Sequence, residues 1–345
     1  MSFGLPYKGS KSAIAKDIIG VLPGGNRLVD LFCGGCAITD YAMKKTDKFN
    51  RFLINDIDER NPKTYMKALN GGFRNEDRWI SRQDFFKLKE TDDYVRLCFS
   101  FGNDGKTYMY GPQIEPYKEA IHSIVFWEDY SKMETLCPAV VGIAHEYCDG
   151  KDRKGRRLAF GKAVAAHIKE VGSVEYWQSN PMFRSVNIKW SEDRRGMSSC
   201  QWNRGSPLES LERLERLKSL ESLECLERLQ SLQSLESLER LQILKIQNAP
   251  IVVSTDDYRN YVYQDDDVVY CDPPYANTSK YTVDFDNEAF WQWCRTRDFP
   301  VYISEYRAPE DFISVWSKEK RRLFSSSHLS ANAIEHLFLH KKWLE

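Results

Sequence analysis

Residues Asp267 to Tyr275 read D-V-V-Y-C-D-P-P-Y, and this stretch limits the fold more than any other. Val268, Val269, Tyr270 and Cys271 form a short apolar run of strand-forming residues that two prolines halt at once, which predicts a buried strand ending in a rigid turn. Pro273 and Pro274 have fixed φ and no N–H, so the backbone carbonyls of this corner are left as outward acceptors beside the Asp272 carboxylate. Tyr275 adds a flat ring. Two convergent acceptors suit an amino group and an aromatic face suits a flat base, so the corner is fitted to the exocyclic NH2 of a nucleobase. A Pro-Pro turn after a strand is also common in loops of α/β proteins.

The segments around it alternate between strand and helix. Ser12 to Ile19 carries Ile14, Ala15, Ile18 and Ile19 in helical rhythm. Arg27 to Phe32 reads as a first strand, Cys33-Gly34-Gly35 as a tight turn, and Ala37 to Lys45 as a helix. Glycines let a ligand approach the backbone, and the helix N-terminus that follows favours the carboxylate of a small zwitterion. Arg51 to Asn55 is a second strand, ending at Asp56, which can accept ribose hydroxyls or simply cap the next helix. Ile243 to Ile246, Ile251 to Val253 and Pro300 to Ser304 read as further strands, Asn287 to Arg297 as a helix, and Arg322 to Ser325 with His336 to His340 as a final antiparallel pair. This order predicts a doubly wound α/β sheet with its ligand crevice at the carboxyl ends of the strands.

Asp272-Pro273-Pro274-Tyr275 matches the Asp-Pro-Pro-Tyr motif of S-adenosylmethionine-dependent amino methyltransferases, and the chain resembles the Dam-type DNA adenine methyltransferases. Leu5-Pro6-Tyr7-Lys8-Gly9-Ser10-Lys11 is similar to that family's aromatic-x-Gly-x-Lys opening, Asp30-Leu31-Phe32-Cys33-Gly34-Gly35 to its cofactor loop, Asn55-Asp56-Ile57 to its acidic strand end, and Asp257-Tyr258 to its Asp-Phe pair. The resemblance implies a Rossmann-like methyltransferase sheet that transfers a methyl group from S-adenosylmethionine to N6 of an adenine flipped out of double-stranded DNA. It further implies cofactor contacts from Tyr7, Lys11, Asp30, Phe32, Gly34, Gly35, Asp56, Asp257, Tyr258 and Asp272, with Asp272, Pro273, Pro274 and Tyr275 at the reaction centre. Asp272 and the Pro273 carbonyl would accept the two amino hydrogens, freeing a nitrogen lone pair otherwise delocalised into the ring. A bacterial or bacteriophage setting goes with this reading, as does a monomer working in the cytoplasm. Rival readings are another amino acceptor (cytosine N4, RNA or a protein amide) and a DNA-binding relative without catalysis. Asp rather than Ser or Asn at position 272, and the order of the motifs, favour adenine in DNA.

The segments carrying the resemblance bracket residues 1–72 and 245–345, expected to be the two parts of one catalytic domain. Residues 73–205 are expected to form an inserted DNA target-recognition region, with a helix over Pro116 to Trp127. Lys151 to Lys162 is its strongest basic cluster, and Lys151, Arg153, Lys154, Arg156 and Arg157 are candidates for phosphate contacts. Trp190 to Trp202, followed by Arg204, is a second candidate DNA contact. Dam enzymes carry there a hairpin with an Asn-Val-Pro element that this sequence lacks, so GATC specificity does not carry over.

Residues 206–244 are built on a three-residue repeat, with leucine at thirteen consecutive third positions from Leu208 to Leu244. The residue types favour a helix, and Glu212–Arg216, Glu224–Arg228 and Glu236–Arg240 add pairs one turn apart. Each leucine nevertheless lags the last by about 60°, so the stripe circles the helix in about 18 residues and suits no single flat partner. A long helical spacer is the reading preferred over a short-period solenoid.

A chain of 345 residues with 42% hydrophobic content exceeds one compact domain, consistent with a catalytic domain plus insertion. No apolar run reaches the ~18 residues of a membrane span and the N-terminus lacks a leader pattern, so no membrane association is expected. Nine cysteines at irregular spacing fit reduced thiols. Cys33-x-x-Cys36 admits a redox or zinc reading, but without a second pair no metal is expected. A net charge of −1 leaves any DNA contact to local patches.

Overall fold

The computed structural model describes residues 3–171, 187–191, 196–201, 207–217, 251–275, 285–320 and 333–344. It divides into two compact units, residues 1–74 with 213–345, and residues 75–212. Arg204, the repeat beyond Leu217, the expected strands Ile243 to Ile246 and Arg322 to Ser325, and residues 276–284 lie outside the described residues.

The first unit is built on a seven-stranded sheet in the order β5-β2-β1-β6-β7-β9-β8. Its strands are β1 (Arg27–Asp30), β2 (Arg51–Asn55), β5 (Ile251–Ser254), β6 (Asp267–Cys271), β7 (Val301–Glu305), β8 (Phe312–Lys320) and β9 (Ala333–His340). β5, β2, β1, β6 and β7 run parallel, while β9 pairs antiparallel with both β7 and β8. β1 and β6 are buried at every position, as expected for central strands of a sheet covered on both faces. The chain order reverses at β1, whose two parallel neighbours are β2 and β6, and such a switch point opens a crevice at the carboxyl ends of the strands. The final antiparallel pair uses Phe312–Lys320 as its first strand.

Helices α1 (Ala15–Val21), α2 (Ala37–Lys45), α3 (Arg60–Leu69) and α11 (Asn287–Thr296) accompany this sheet. Asp286 caps α11 by accepting the Ala289 N–H at 2.9 Å. Phe290, Trp291, Trp293 and Cys294 then form its buried side, in one cluster with Val29, Val269, Cys271, Val301 and Ile303 of the sheet. At the amino ends of the central strands, Arg27 makes a two-pronged buried ion pair with Asp267, at 2.8 and 2.6 Å. The two residues are direct neighbours in the β1–β6 register, and Gln264 N–H and the Tyr261 hydroxyl also donate to Asp267.

The second unit contains α4 (Arg82–Leu88), α5 (Asp93–Cys98), α6 (Glu115–Trp127), α7 (Ser131–Leu136), α8 (Pro138–Cys148) and α9 (Arg153–Val171), with the hairpin β3 (Asn187–Ser191) and β4 (Gly196–Gln201). Ile121, Ile124, Met133, Val140, Ala144, Phe160 and Val164 close a core between α6, α7, α8 and α9. Part of the Trp190 to Trp202 stretch is thus a hairpin, although it lacks the Asn-Val-Pro element. The start of the leucine repeat is helical, as α10 (Pro207–Leu217). Leu211, Leu214 and Leu217 are all buried, because three leucines drift through only about 120° and still share one side.

Candidate active site

The carboxyl edge of the sheet gathers residues distant in sequence into one row. Asp30 ends β1 beside Tyr270 of β6, so the turn Leu31 to Gly35 and the corner Asp272 to Tyr275 leave from neighbouring strands. Asn55, at the end of β2, donates to Leu31 O at 2.9 Å and to Asp256 O at 3.1 Å, and accepts the Asp256 N–H. One buried amide thereby holds three strand ends in line.

The turn after β1 is held from two sides. Gly34 N–H donates to Asp56 Oδ2 at 2.8 Å, and Asp58 N–H donates to Asp56 Oδ1 at 2.9 Å. Asp56 therefore braces the glycine turn and the lead into α3, and burial pushes its carboxyl above the usual range. Tyr7 lies against the glycines: a Cβ at Gly34, where φ is +45°, would stand 2.9 Å from Tyr7 Cε1, and one at Gly35 would stand 2.7 Å from Tyr7 Cβ. The glycines here admit a tyrosine ring, a use of small residues that their sequence alone does not distinguish from ligand approach. The segment before Lys11 is pinned by Gly4 N–H on Asp40 Oδ2 at 2.9 Å and Leu5 N–H on Gly35 O at 2.7 Å. Buried Asp40 also accepts the Tyr65 hydroxyl at 3.0 Å.

Asp30 is buried, accepts the Thr39 hydroxyl at 3.0 Å through Oδ2, and has no hydrogen-bond partner on Oδ1 among the described residues. Burial pushes its carboxyl up to about 7, with the nearby Asp272 and Asp56 charges adding to the rise. Phe32 stands 5.3 Å from the Tyr258 ring and 5.6 Å from Phe285 and Phe290. Asp257 caps the turn that begins at Tyr258 and pairs with Arg259 at 2.6 Å, which holds its carboxyl below the usual range.

At the other half of the row, Lys11 reaches Asp272: Nζ lies 2.7 Å from Oδ1. It also lies 3.5 Å from Glu335 Oε1 and 4.5 Å from the centre of the Tyr275 ring. The Tyr275 hydroxyl donates to the same Glu335 oxygen, and its ring meets Tyr306 edge-on at 4.6 Å. Burial pushes the Asp272 carboxyl up, and Lys11 opposes that rise. Burial works against the Lys11 charge, but Asp272 and Glu335 outweigh it and raise the ammonium's pKa. The sequence reading named Asn55 only as part of the Asn55-Asp56-Ile57 motif, with no role of its own, and missed Glu335, Asp40 and Tyr306. For Glu335 a signal existed, since it shares strand parity with the buried Leu337 and Leu339.

The family model for D12 class N6 adenine-specific DNA methyltransferases matches residues 7–128 and 227–340. The chain belongs to this family. It is an adenine methyltransferase acting on DNA, and no observation favours another amino acceptor. No curated protein matches the chain at a significant level. The two matched segments of the methyltransferase include every cofactor and catalytic candidate named above and leave out 129–226, where the basic cluster lies.

In that cluster the methyltransferase uses its cations unequally. Lys151 and Lys154 are exposed. The Arg153 guanidinium lies 5.2 Å over the Phe126 ring, and Arg157 pairs with Glu212 at 3.2 Å. Arg156 is buried: it donates to Val125 O at 2.8 Å, to Phe126 O and Lys151 O, and pairs with Glu128, so it caps the carboxyl end of α6. Cys33 and Cys36 are free buried thiols. Among the described residues no group of three or more His, Cys, Asp or Glu could hold a metal, and no helix is long and apolar enough to cross a membrane.

Proposed function

We propose that the enzyme uses S-adenosylmethionine to methylate N6 of an adenine extruded from duplex DNA into the corner formed by Asp272, Pro273, Pro274 and Tyr275. The register that sets Asp30 beside Tyr270 carries this reading, because it puts a cofactor half and a base half on strands about 4.8 Å apart.

The cofactor half fits its ligand. Asp30 offers a buried acceptor oxygen to an ammonium, the N-terminus of α2 follows the glycine turn for a carboxylate, and Phe32 with Tyr258 offers flat apolar rings to an adenine. Asp56 has lone pairs beyond its two backbone bonds for ribose hydroxyls. Tyr7 and Lys11 flank this half, and Asp257 serves by fixing Tyr258. Bound there, S-adenosylmethionine supplies a methyl group on an electrophilic sulfonium. The protein's task is the acceptor. Asp272 and the Pro273 carbonyl accept hydrogen bonds from the two amino hydrogens, Tyr275 lies against the base, and the nitrogen lone pair is directed out of the ring plane. Lys151, Arg153 and Lys154 are assigned to DNA phosphates, Arg157 in exchange for Glu212, and Arg204 with them on charge alone.

Asp272→Asn and Asp272→Ala, assayed with labelled cofactor and a 2-aminopurine duplex, test the assignment. Methyl transfer should drop by about 100-fold or more, with base extrusion retained and thermal stability little changed. Parental rates in Asp272→Asn would remove the corner from the chemistry.

A further inference from the structure

Glu335 lies near the start of β9 and is fully buried, on the same side of the strand as the core residues Leu337 and Leu339. A carboxylate among core positions costs stability unless its environment is matched to it. Here two of the matching groups belong to the site. The Tyr275 hydroxyl donates to Glu335 Oε1, and the Lys11 ammonium lies 3.5 Å from the same oxygen. Lys11 therefore faces two carboxylates, of which Asp272 has 20% of its side chain exposed and Glu335 none. For Asp272 to accept a hydrogen bond from a substrate amine, its acceptor capacity must be shared between that amine and Lys11. A buried ammonium loosened from one anion needs another within reach.

We propose that Glu335 is a positioning residue for methyl transfer, anchoring the Tyr275 hydroxyl and giving Lys11 a second carboxylate so that Asp272 can turn to the amine. The proposal rests on the reading of Asp272 to Tyr275 as the amine site. Glu335 touches neither base nor cofactor in it. Its effect passes through Lys11 and Tyr275.

Glu335→Gln keeps the shape and an acceptor for Tyr275 while removing the charge, and Tyr275→Phe removes the hydroxyl while keeping the ring. Each should lower kcat by about 100-fold, because a small displacement of the ring or the ammonium misplaces the amine. Affinities for cofactor and DNA should stay within about twofold, the pattern of an interaction that matters only on the way to the transition state. Parental kcat in Glu335→Gln would overturn the proposal. If Glu335→Gln does not fold, Tyr275→Phe decides: kcat reduced at constant KM supports it, and a parental rate sinks it. Asp272→Asn run alongside separates the two readings. An inactive Asp272→Asn beside a fully active Glu335→Gln removes Glu335 alone, whereas an active Asp272→Asn removes the amine site itself.

Discussion

The Lys11 ammonium lies 2.7 Å from Asp272 Oδ1, joining a short 3-10 turn near the beginning of the chain to the corner that ends β6. The pair is buried on the lysine side and partly exposed on the aspartate side. Burial raises the Asp272 carboxyl, and the Lys11 charge beside it works against that rise.

Lys11→Met should shift the pH dependence of methylation. Without the ammonium, burial and the Glu335 charge both act to raise the Asp272 carboxyl. If the reaction needs the carboxylate, the acid limb of the rate profile moves to higher pH. A rate–pH series on the parent and variant reads this directly, and superimposable limbs would contradict it.

Asp30 gives a second pH effect of known sign. Its carboxyl is held at about 7 in the folded chain, against about 3.9 when unfolded. The folded state binds the extra proton in that window, so stability should fall as pH rises from about 4 to about 7. An ammonium ligand needs the ionised form, so cofactor affinity should rise over the same window, by up to about tenfold per pH unit, with release of a proton. Calorimetry in two buffers of different ionisation enthalpy checks it: equal heats in both would exclude Asp30 from the cofactor's contacts, and Asp30→Asn should flatten the dependence.

The Arg27–Asp267 pair sits at the opposite ends of the strands from the chemistry, with side chains only 5% and 1% exposed. Arg27→Met should destabilise the fold by about 3–5 kcal/mol by stranding a buried carboxylate. Pairing it with Asp267→Leu should recover most of that loss. Urea unfolding measures both, and cofactor affinity at low temperature should not change in either.

Within the basic cluster, charge and burial predict different outcomes for neighbouring residues. Lys151→Ala and Lys154→Ala should each weaken DNA binding and lower the slope of log affinity against log salt by about 1, with the melting temperature unchanged. Arg156→Ala should instead lower the melting temperature, because three carbonyls and Glu128 lose their donor. Salt-dependent binding and thermal melts on the three variants separate the roles.

The sheet was legible because strong local signals coincided: an apolar run stopped by Pro273-Pro274, a glycine turn before α2, and a strand ending at Asp56. What stayed hidden came from partners remote in sequence. Arg156 looks like its neighbours in a basic run until α6 is packed beside it. Glu335 was passed over because a single acid in an apolar strand carries no motif, and only Lys11 and Tyr275 give it meaning. The strand Phe312–Lys320 was missed because its apolar residues are interleaved with serines and charges, the pattern of an edge strand rather than of a core one. The leucine period argued against a long one-sided stripe, yet its first turns need only a narrow one.

The pairing of β1 with β6 also sets an order of events during synthesis. Residues 27–30 leave the ribosome long before residues 267–271, and in between comes a unit with a core of its own. That unit can fold while one edge of β1 still waits for its neighbour, so the contacts made last are the ones of greatest sequence separation. Asp30 and Lys11 are laid down early and Asp272 and Glu335 late, so the row at the carboxyl edge of the sheet is complete only once both parts of the chain have been made. Refolding from denaturant should show the same sequence, with the inserted helices regaining structure ahead of the sheet.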